Sequence, residues 1–290
     1  METIHYLKSS AALHILENRH YLLRIDASLN PYAGCSCSCV YCNDKCSGKV
    51  MVKTDFLHLL SRELDRLKSV LHVGLGTACE PYCGAEERFN LTRHTLELLA
   101  RRKLPVQIFT RSNLVLRDMD LLRNHSRQGL LAVSVSISTL NSGKARIIER
   151  GSPLPSERAK LLAELKKSGI FAGVLLSPVI PYVTDSKKDL EKIFRLAASC
   201  GADYIIPAVL SFNNKKLKGG CTDELLKSFP REASKISRLY GESALPSEEY
   251  LCELNALLME LSVKHKLGLS LPVEDEIPWP VDLHSSFPVN

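Results

Sequence analysis

Three cysteines with metal-binding spacing lie close together near the start of the chain. Cys35, Cys39 and Cys42 have the spacing C-x3-C-x2-C, in a loop that opens at Asn30 with Asn-Pro-Tyr-Ala-Gly. Thiolates at this spacing can bind three irons of a cubic 4Fe-4S cluster and leave the fourth iron without a protein ligand. Because clusters that only carry electrons are closed by a fourth cysteine, this spacing indicates a cluster that binds another molecule at its open iron.

Two other interpretations of these cysteines stay open. A structural zinc site would use four of the five cysteines that lie between Cys35 and Cys46, since four thiolates at short spacings also bind zinc. A closed cluster would take Cys37 or Cys46 as its fourth ligand and would make the protein an electron carrier. The C-x3-C-x2-C frame disfavours the closed cluster, and we leave Cys37 and Cys46 out of the predicted ligand set.

The composition is typical of a cytoplasmic globular protein. The 290 residues are 45% hydrophobic and 24% charged, which suits one large domain or one domain with an appendage. We expect no membrane segment, because no apolar run approaches the roughly 18 to 20 residues that a membrane helix requires. The net charge of +6 is mild, and its local clusters, such as Arg101-Arg102-Lys103, are typical of solvated helix ends.

Apolar segments of strand length alternate with amphipathic segments along most of the chain. Strands are predicted over residues 21–25, 72–75, 106–110, 131–137, 171–176 and 204–207. Helices are predicted between them, over about residues 54–67, 92–102, 118–124, 156–168 and 187–198. Six such units predict an α/β fold with a parallel sheet that curves into a partial (β/α)6 TIM-type barrel, with reactive residues at the carboxyl ends of its strands.

The rest of the chain is predicted to form a C-terminal helical extension. Residues 211–247 interrupt the alternation with Asn213-Asn214 and Gly219-Gly220, and residues 248–264 return to a helical pattern. The proline-rich residues after 271 are expected to form an irregular tail. We therefore predict a barrel over residues 1–210 and an appended insertion, helix and tail over residues 211–290.

Motifs throughout the predicted barrel resemble those of the radical SAM enzymes, and among them the spore photoproduct lyase-like group. The resemblance extends from about Asn30 to Leu210. Its motifs are Asn30-Pro31-Tyr32-x-Gly34-Cys35 with Val40-Tyr41-Cys42, Gly76-Thr77-Ala78-Cys79-Glu80-Pro81-Tyr82, Phe109-Thr110-Arg111-Ser112, Ser134-Val135-Ser136-Ile137-Ser138-Thr139 and Glu149-Arg150-Gly151-Ser152-Pro153.

This resemblance implies a cofactor pair and a reaction class. Cys35, Cys39 and Cys42 would bind the 4Fe-4S cluster, and its open iron would bind S-adenosylmethionine (SAM). An external one-electron reductant such as flavodoxin or ferredoxin would drive cleavage of SAM to a 5'-deoxyadenosyl radical. The first expected reaction is that of a carbon-carbon lyase in DNA repair or another modification of a nucleic acid base, and the second is modification of a small molecule or peptide. A zinc-stabilised binding module and a closed-cluster electron carrier both predict no SAM cleavage.

The resemblance also assigns the SAM contacts. Glu80 falls where the family has an acid beside the SAM amino group, and Arg111 falls where a basic side chain reaches the SAM carboxylate or ribose. Ser136 and Ser177 fall where later strands contact the ribose or adenine, and Tyr41 offers its backbone to the adenine.

Cys79 and Cys83 flank the expected SAM acid and are candidate hydrogen donors to a substrate radical. Spore photoproduct lyases return a hydrogen atom from a cysteine near this place, although neither residue is in clear register with it. Relatives also carry Asp-Pro-Tyr-Gln-Pro where this chain has Glu80-Pro81-Tyr82-Cys83-Gly84, so the substrate is not assigned. Arg150 and Arg158 are expected to serve the helix that follows or its capping region, and neither is assigned to the site.

Overall fold

The strands alternate with helices along the chain in the computed structural model, which describes residues 3–20, 23–42, 49–69, 71–212 and 215–271. The strands are β1 (Thr3–Leu7), β2 (Leu13–His20), β3 (Ile25–Leu29), β4 (Tyr32–Ala33), β5 (Lys49–Lys53), β6 (Val73–Leu75), β7 (Val106–Thr110), β8 (Leu131–Ser136), β9 (Ala172–Val179) and β10 (Ile205–Val209). The helices are α1 (Phe56–Asp65), α2 (Glu86–Phe89), α3 (Leu91–Arg101), α4 (Met119–Arg127), α5 (Ser142–Ile148), α6 (Pro155–Lys167), α7 (Lys187–Ser199), α8 (Lys215–Ser228), α9 (Pro230–Tyr240) and α10 (Glu248–His265).

The main sheet has the order β10-β9-β8-β7-β6-β3-β2. Strand β2 runs antiparallel to β3, whereas β3 and the five strands that follow it in the sheet are parallel. Every residue of β7 and β8 is buried, as expected of parallel strands that are covered on both faces. Because the parallel strands stand in chain order and helices lie between them in sequence, the predicted partial (β/α)6 barrel is confirmed.

The prediction for the first strand is wrong in its position. The sequence predicts this strand over residues 21–25, but β3 begins at Ile25 and ends at Leu29. Arg24 has a left-handed backbone with φ of 55°, which interrupts extended structure just before the strand. Residues 21 and 22 lie outside the described part of the chain.

The predicted insertion over residues 211–247 contains two helices, α8 and α9. Helix α8 continues through Gly219 and Gly220, and α9 follows it directly. Two glycines disfavour a helix by about 1 kcal/mol each, but Leu225 of α8 packs into a buried cluster with Val40 and Ile180. Burial of this apolar face outweighs the local preference.

The C-terminal helix α10 belongs to the main core. Its buried leucines pack in one apolar cluster with Leu190 and Phe194 of α7 and with the buried side chains of the barrel strands. The predicted tail after residue 271 lies outside the described residues, and the division of the chain near residue 210 stays a prediction. No helix in the described part of the chain is both long and apolar enough to cross a membrane.

A second, three-stranded sheet of order β1-β5-β4 lies beside the barrel. Strand β4 opens the cysteine loop and β5 follows it, so this sheet joins both ends of the loop. Tyr32 of β4 packs with Val50 and Val52 of β5 in a small buried cluster. The sheet therefore fixes the path by which the chain enters and leaves the cysteine loop.

Candidate functional site

A cavity of about 420 Å³ lies at the carboxyl ends of the parallel strands. Residues at or after the ends of all six parallel strands line it, together with the cysteine loop and the end of β5. The lining includes nine of the predicted site residues: Cys35, Cys39, Tyr41, Cys42, Cys79, Glu80, Arg111, Ser136 and Ser177. Residues far apart in sequence thus share one cavity, at the end of the barrel that the strand pattern predicts.

The two candidate hydrogen donors lie in different environments. Cys79 lines the cavity, and its thiol donates a hydrogen bond of 2.9 Å to the carbonyl oxygen of Tyr32. Burial raises the pKa of the Cys79 thiol above its ordinary value, so its sulfur keeps its proton at neutral pH. Cys83 is only 4% exposed and packs in the small apolar cluster around Tyr32, outside the cavity lining. Only Cys79 of this pair therefore has direct access to the cavity.

The cysteine loop turns three thiols toward the cavity. Cys35, Cys39 and Cys42 are half-buried, and burial raises the pKa of the Cys39 thiol to about 11. Within the described residues, the side chains are not grouped as a preformed three-ligand metal site. The donor set nevertheless suits iron, because thiolates of one short loop face one cavity and release their protons when they bind metal. Cys37 also lines the cavity, whereas Cys46 lies outside the described residues.

The segment after α5 binds the cysteine loop through its backbone. Val40 donates its amide hydrogen to the carbonyl of Ile148 over 2.9 Å, and Gly151 donates to the carbonyl of Cys37 over 2.9 Å. A Cβ atom on Gly151 would lie 2.3 Å from the carbonyl oxygen of Ser36, so only glycine allows this approach. Residues 148–152, which we call the loop clamp, therefore fix the middle of the cysteine loop.

Arg111 connects the end of β7 to the cysteine loop. Its Nη1 atom lies 3.1 Å from Cys39 Sγ and 3.3 Å from Tyr41 Oη, and its Nη2 atom lies 3.4 Å from Ser136 Oγ. A guanidinium at this place offsets the negative charge of thiolates, and hydrogen bonds to cluster sulfurs are one of the factors that set a cluster's reduction potential. The arrangement therefore fits a cluster bound by this loop.

Glu149 of the loop clamp carries a buried charge that the sequence interpretation missed. Its carboxylate accepts hydrogen bonds from Tyr41 Oη, from Ser138 Oγ at 3.0 Å and from Arg158 Nη2 at 2.5 Å. Burial would raise the pKa of Glu149, but the guanidinium groups of Arg111 and Arg158 lower it below its ordinary value. The cysteine loop is thus tied to the barrel by a buried ion pair as well as by its backbone.

Arg158 has partners beyond the helix and cap region that the sequence predicts. Arg158 is 1% exposed, and besides Glu149 it donates to the carbonyl oxygens of Ser136 and Pro153, at 3.0 and 2.8 Å. It therefore links the end of β8 to the loop clamp rather than serving only α6. No local pattern in the sequence marks a buried ion pair, so spacing gave no signal for it. Arg150 also reaches beyond the next helix, because it forms an ion pair of 2.6 Å with Glu224 of α8.

Glu80 is fixed in the cavity wall by its neighbours. Oε1 accepts hydrogen bonds from Thr110 Oγ1 at 2.5 Å and from the Tyr82 amide at 3.1 Å, and Oε2 accepts from the Arg111 amide at 2.9 Å. Asn30 holds the same loop from the other side, since its Oδ1 atom accepts from the Ala78 amide at 2.9 Å. The carboxylate is thus preorganised to meet a cationic group in the cavity.

No protein-family model matches the chain, but some relatives match it over most of its length. An uncharacterized protein of Mycobacterium tuberculosis is 27% identical over 280 residues, which cover 92% of this chain and 82% of the relative. A protein of Pseudomonas phage M6 named radical SAM Nalpha-GlyT isomerase is 21% identical over 187 residues, which cover 61% of this chain and 38% of the relative.

Solved structures of other proteins share the fold. A spore photoproduct lyase mutant with bound AdoMet and dinucleoside spore photoproduct superposes with a TM-score of 0.61 and 13% identity, over 83% of this chain and 74% of the other. Streptococcus suis SuiB bound to S-adenosylmethionine superposes with a TM-score of 0.57 and 15% identity, over 83% of this chain and 48% of the other. The resemblance to spore photoproduct lyase that the motifs predict is confirmed at the level of the fold: this chain has the partial barrel of that enzyme.

Proposed function

We propose that the protein is a radical SAM enzyme that binds a 4Fe-4S cluster through Cys35, Cys39 and Cys42. The observation that carries the proposal is the convergence of this three-cysteine loop with Glu80 and Arg111 on one cavity, in a fold that binds AdoMet in spore photoproduct lyase. When bound, the cluster supplies the electron that cleaves SAM reductively to a 5'-deoxyadenosyl radical. The electron would come from an external reductant such as a flavodoxin or ferredoxin. We also propose that the protein is located in the cytoplasm.

Side chains of the cavity wall would orient SAM. The fixed carboxylate of Glu80 would accept hydrogen bonds from the SAM amino group, and Arg111 would donate to the SAM carboxylate or ribose. Ser136 and Ser177 would contact the ribose or adenine, and Tyr41 would contact the adenine through its backbone. All five residues line the same cavity, which supports this assignment.

Cys79 is the better candidate for the hydrogen donor because its protonated thiol faces the cavity and Cys83 does not line it. The Cys79 S–H bond would break as a C–H bond forms on the substrate radical, which leaves a sulfur-centred radical. That radical would take a hydrogen atom from 5'-deoxyadenosine when SAM is regenerated. When SAM is consumed, it would take an electron from the reductant and a proton from solvent.

We propose a lyase-like repair or modification of a nucleic acid base as the reaction. The support is the fold of spore photoproduct lyase, whose structure contains a dinucleoside spore photoproduct. A second candidate is modification of a peptide or small molecule, because SuiB, which shares the fold, has been solved with its precursor peptide SuiA bound. The two candidates differ in substrate and share the chemistry of SAM cleavage.

Chromatography of 5'-deoxyadenosine tests the proposed function without a known substrate. The anaerobically reconstituted protein, incubated with SAM and dithionite, is expected to release 5'-deoxyadenosine, and Cys42→Ala is expected to abolish the release. Cys252→Ala is the matched control, because Cys252 is an exposed thiol on α10 away from the cavity. Equal release from wild type and Cys42→Ala, or no release from fully iron-loaded wild type, would contradict the proposal.

A further inference from the structure

Lys53 brings a positive charge into the cavity from outside the barrel. It is the last residue of β5 in the small sheet, and its half-buried side chain lines the cavity together with Cys79. The ammonium nitrogen lies over the Phe56 ring, 5.9 Å from its centroid, within the range of a cation–π contact. The barrel strands play no part in placing this residue, and the sequence interpretation did not include it.

The ammonium group of Lys53 has no counter-ion in direct contact among the residues that the structure describes, since no ion pair or side-chain hydrogen bond of Lys53 is found there. Burial lowers the pKa of Lys53, and the electrostatic influence of Cys79 and then of Asp55 offsets this effect only in part. The Asp55 carboxylate accepts the amide hydrogen of Ser9 at 3.0 and 3.3 Å.

The other charged groups of the described cavity lining are the proposed SAM contacts. Glu80 is the carboxylate of this lining, and it is assigned to the SAM amino group. Arg111 contacts Cys39 and Glu149 of the loop clamp and is assigned to the SAM carboxylate or ribose. Lys53 is therefore the charged group of the described lining that has no proposed role in SAM binding. The hydroxyl group of Ser10, which also lines the cavity, supplies a neutral donor.

We propose that Lys53 binds an oxyanion, a phosphate or a carboxylate, of the substrate. This inference rests on the proposed function, because it assumes that SAM occupies the part of the cavity near Glu80 and Arg111. The contact holds the substrate beside Cys79, the thiol that faces the same cavity. The substrate is therefore an acidic molecule, and its charged group is recognised by the small sheet rather than by the barrel.

Calorimetric titration of two simple oxyanions tests this site. Methyl phosphate and acetate are titrated separately into the anaerobically reconstituted protein in the presence of SAM. The anion that binds with the higher affinity is the preferred oxyanion. Because a hydrogen bond to a charged group contributes about 1.5 to 3 kcal/mol, Lys53→Met is expected to lower the affinity for the preferred anion by about tenfold or more. Lys53→Arg keeps the charge and is expected to restore most of the affinity.

Lys49→Met is the matched control, because Lys49 lies on the same strand and is exposed outside the cavity lining. Its anion affinity is expected to stay within about twofold of wild type. Equal anion affinity in wild type and Lys53→Met, or no binding by wild type, would overturn the inference. A fall in SAM affinity as large as the fall in anion affinity would also overturn it, since Lys53 would then be a SAM ligand. Absence of 5'-deoxyadenosine from the wild type is a separate result that contradicts the proposed function.

Discussion

At the residue scale, Glu80 is the part of the cavity wall best prepared for a cationic ligand. Its hydrogen bonds to Thr110 and to the amides of Tyr82 and Arg111 fix both oxygens before a ligand arrives. Each carboxylate oxygen has two acceptor sites, so an ammonium group can still bind. A group that is already fixed loses little conformational entropy on binding, so more of the contact energy contributes to affinity.

We therefore expect Glu80→Gln to weaken SAM binding by about tenfold to a hundredfold, the range that loss of a charged hydrogen bond gives. The amide would also turn donor hydrogens toward groups that now donate to Glu80. Equilibrium binding of SAM to the reconstituted protein measures the effect. Glu164→Gln, an exposed position on α6, is the control. Equal loss in both variants would show that Glu80 has no specific contact with SAM.

At the element scale, the loop clamp is the feature that holds the cysteine loop on the barrel. It contacts the loop through two backbone hydrogen bonds and through the Tyr41 contact with Glu149. Arg158 of α6 and Arg111 at the end of β7 hold the same carboxylate from the barrel side. Elements that are far apart in sequence thus determine where the three thiols lie.

Gly151→Ala tests the backbone contact of the clamp. The added Cβ would lie 2.3 Å from the Ser36 carbonyl oxygen, so the loop must move and iron loading is expected to fall clearly below wild type. Iron and sulfide content after reconstitution measures this effect. Gly219→Ala is the matched control, because no atom lies within 4 Å of its added Cβ and alanine favours helix α8 by up to about 1 kcal/mol. Iron loading that is equal in both variants would show that the clamp does not position the thiols.

Arg158→Met tests the buried ion pair of the clamp through the pH dependence of stability. Loss of one partner of a buried pair costs about 3 to 5 kcal/mol. Because the folded protein lowers the pKa of Glu149 below its ordinary value of 4.5, the stabilisation is full above pH 4.5 and is lost as the pH falls through the lowered value.

The difference in free energy of unfolding between wild type and Arg158→Met is therefore expected to be largest near neutral pH and to shrink in acid. Urea denaturation at several pH values measures it. Arg231→Met, at an exposed position on α9, is the control and should show little difference at any pH. A difference that does not change with pH would assign the effect of Arg158 to packing rather than to its charge.

At the scale of the whole molecule, helix α10 and the barrel share one apolar core. Leu258 of α10 is fully buried in the cluster that contains the strands of the main sheet. Leu258→Ala is therefore expected to lower the free energy of unfolding by about 2 to 5 kcal/mol. Val263→Ala on the same helix is the control, because Val263 is 76% exposed. Unfolding curves monitored by circular dichroism would contradict the shared core if both variants matched wild type.

The barrel was predictable from sequence because its signals are local. The mostly apolar segments of β7 and β8 and the amphipathic pattern of α7 each identify their own structure, and their alternation predicts a parallel sheet. The positions of Glu80 and Arg111 in the cavity follow, because residues at the ends of parallel strands meet at one edge of the sheet.

The parts that sequence did not predict depend on contacts between distant segments. Lys53 enters the cavity only because β5 pairs with β1 and β4, and short strands of a small sheet give no clear pattern alone. Arg158 forms an ion pair with Glu149 across a turn, and the two residues do not have the i, i+3 or i, i+4 spacing that would predict a contact on one helix. Helix α8 continues through Gly219 because tertiary burial outweighs local preference.

Electron paramagnetic resonance of the anaerobically reconstituted, dithionite-reduced protein, with and without SAM, shows whether the cysteine loop binds a cluster with an open iron. Three thiolates from Cys35, Cys39 and Cys42 leave one iron without a protein ligand, so we expect a 4Fe-4S signal whose g values change when SAM is added. A fully iron-loaded sample whose spectrum is the same with and without SAM would show a closed cluster and would contradict the proposed function.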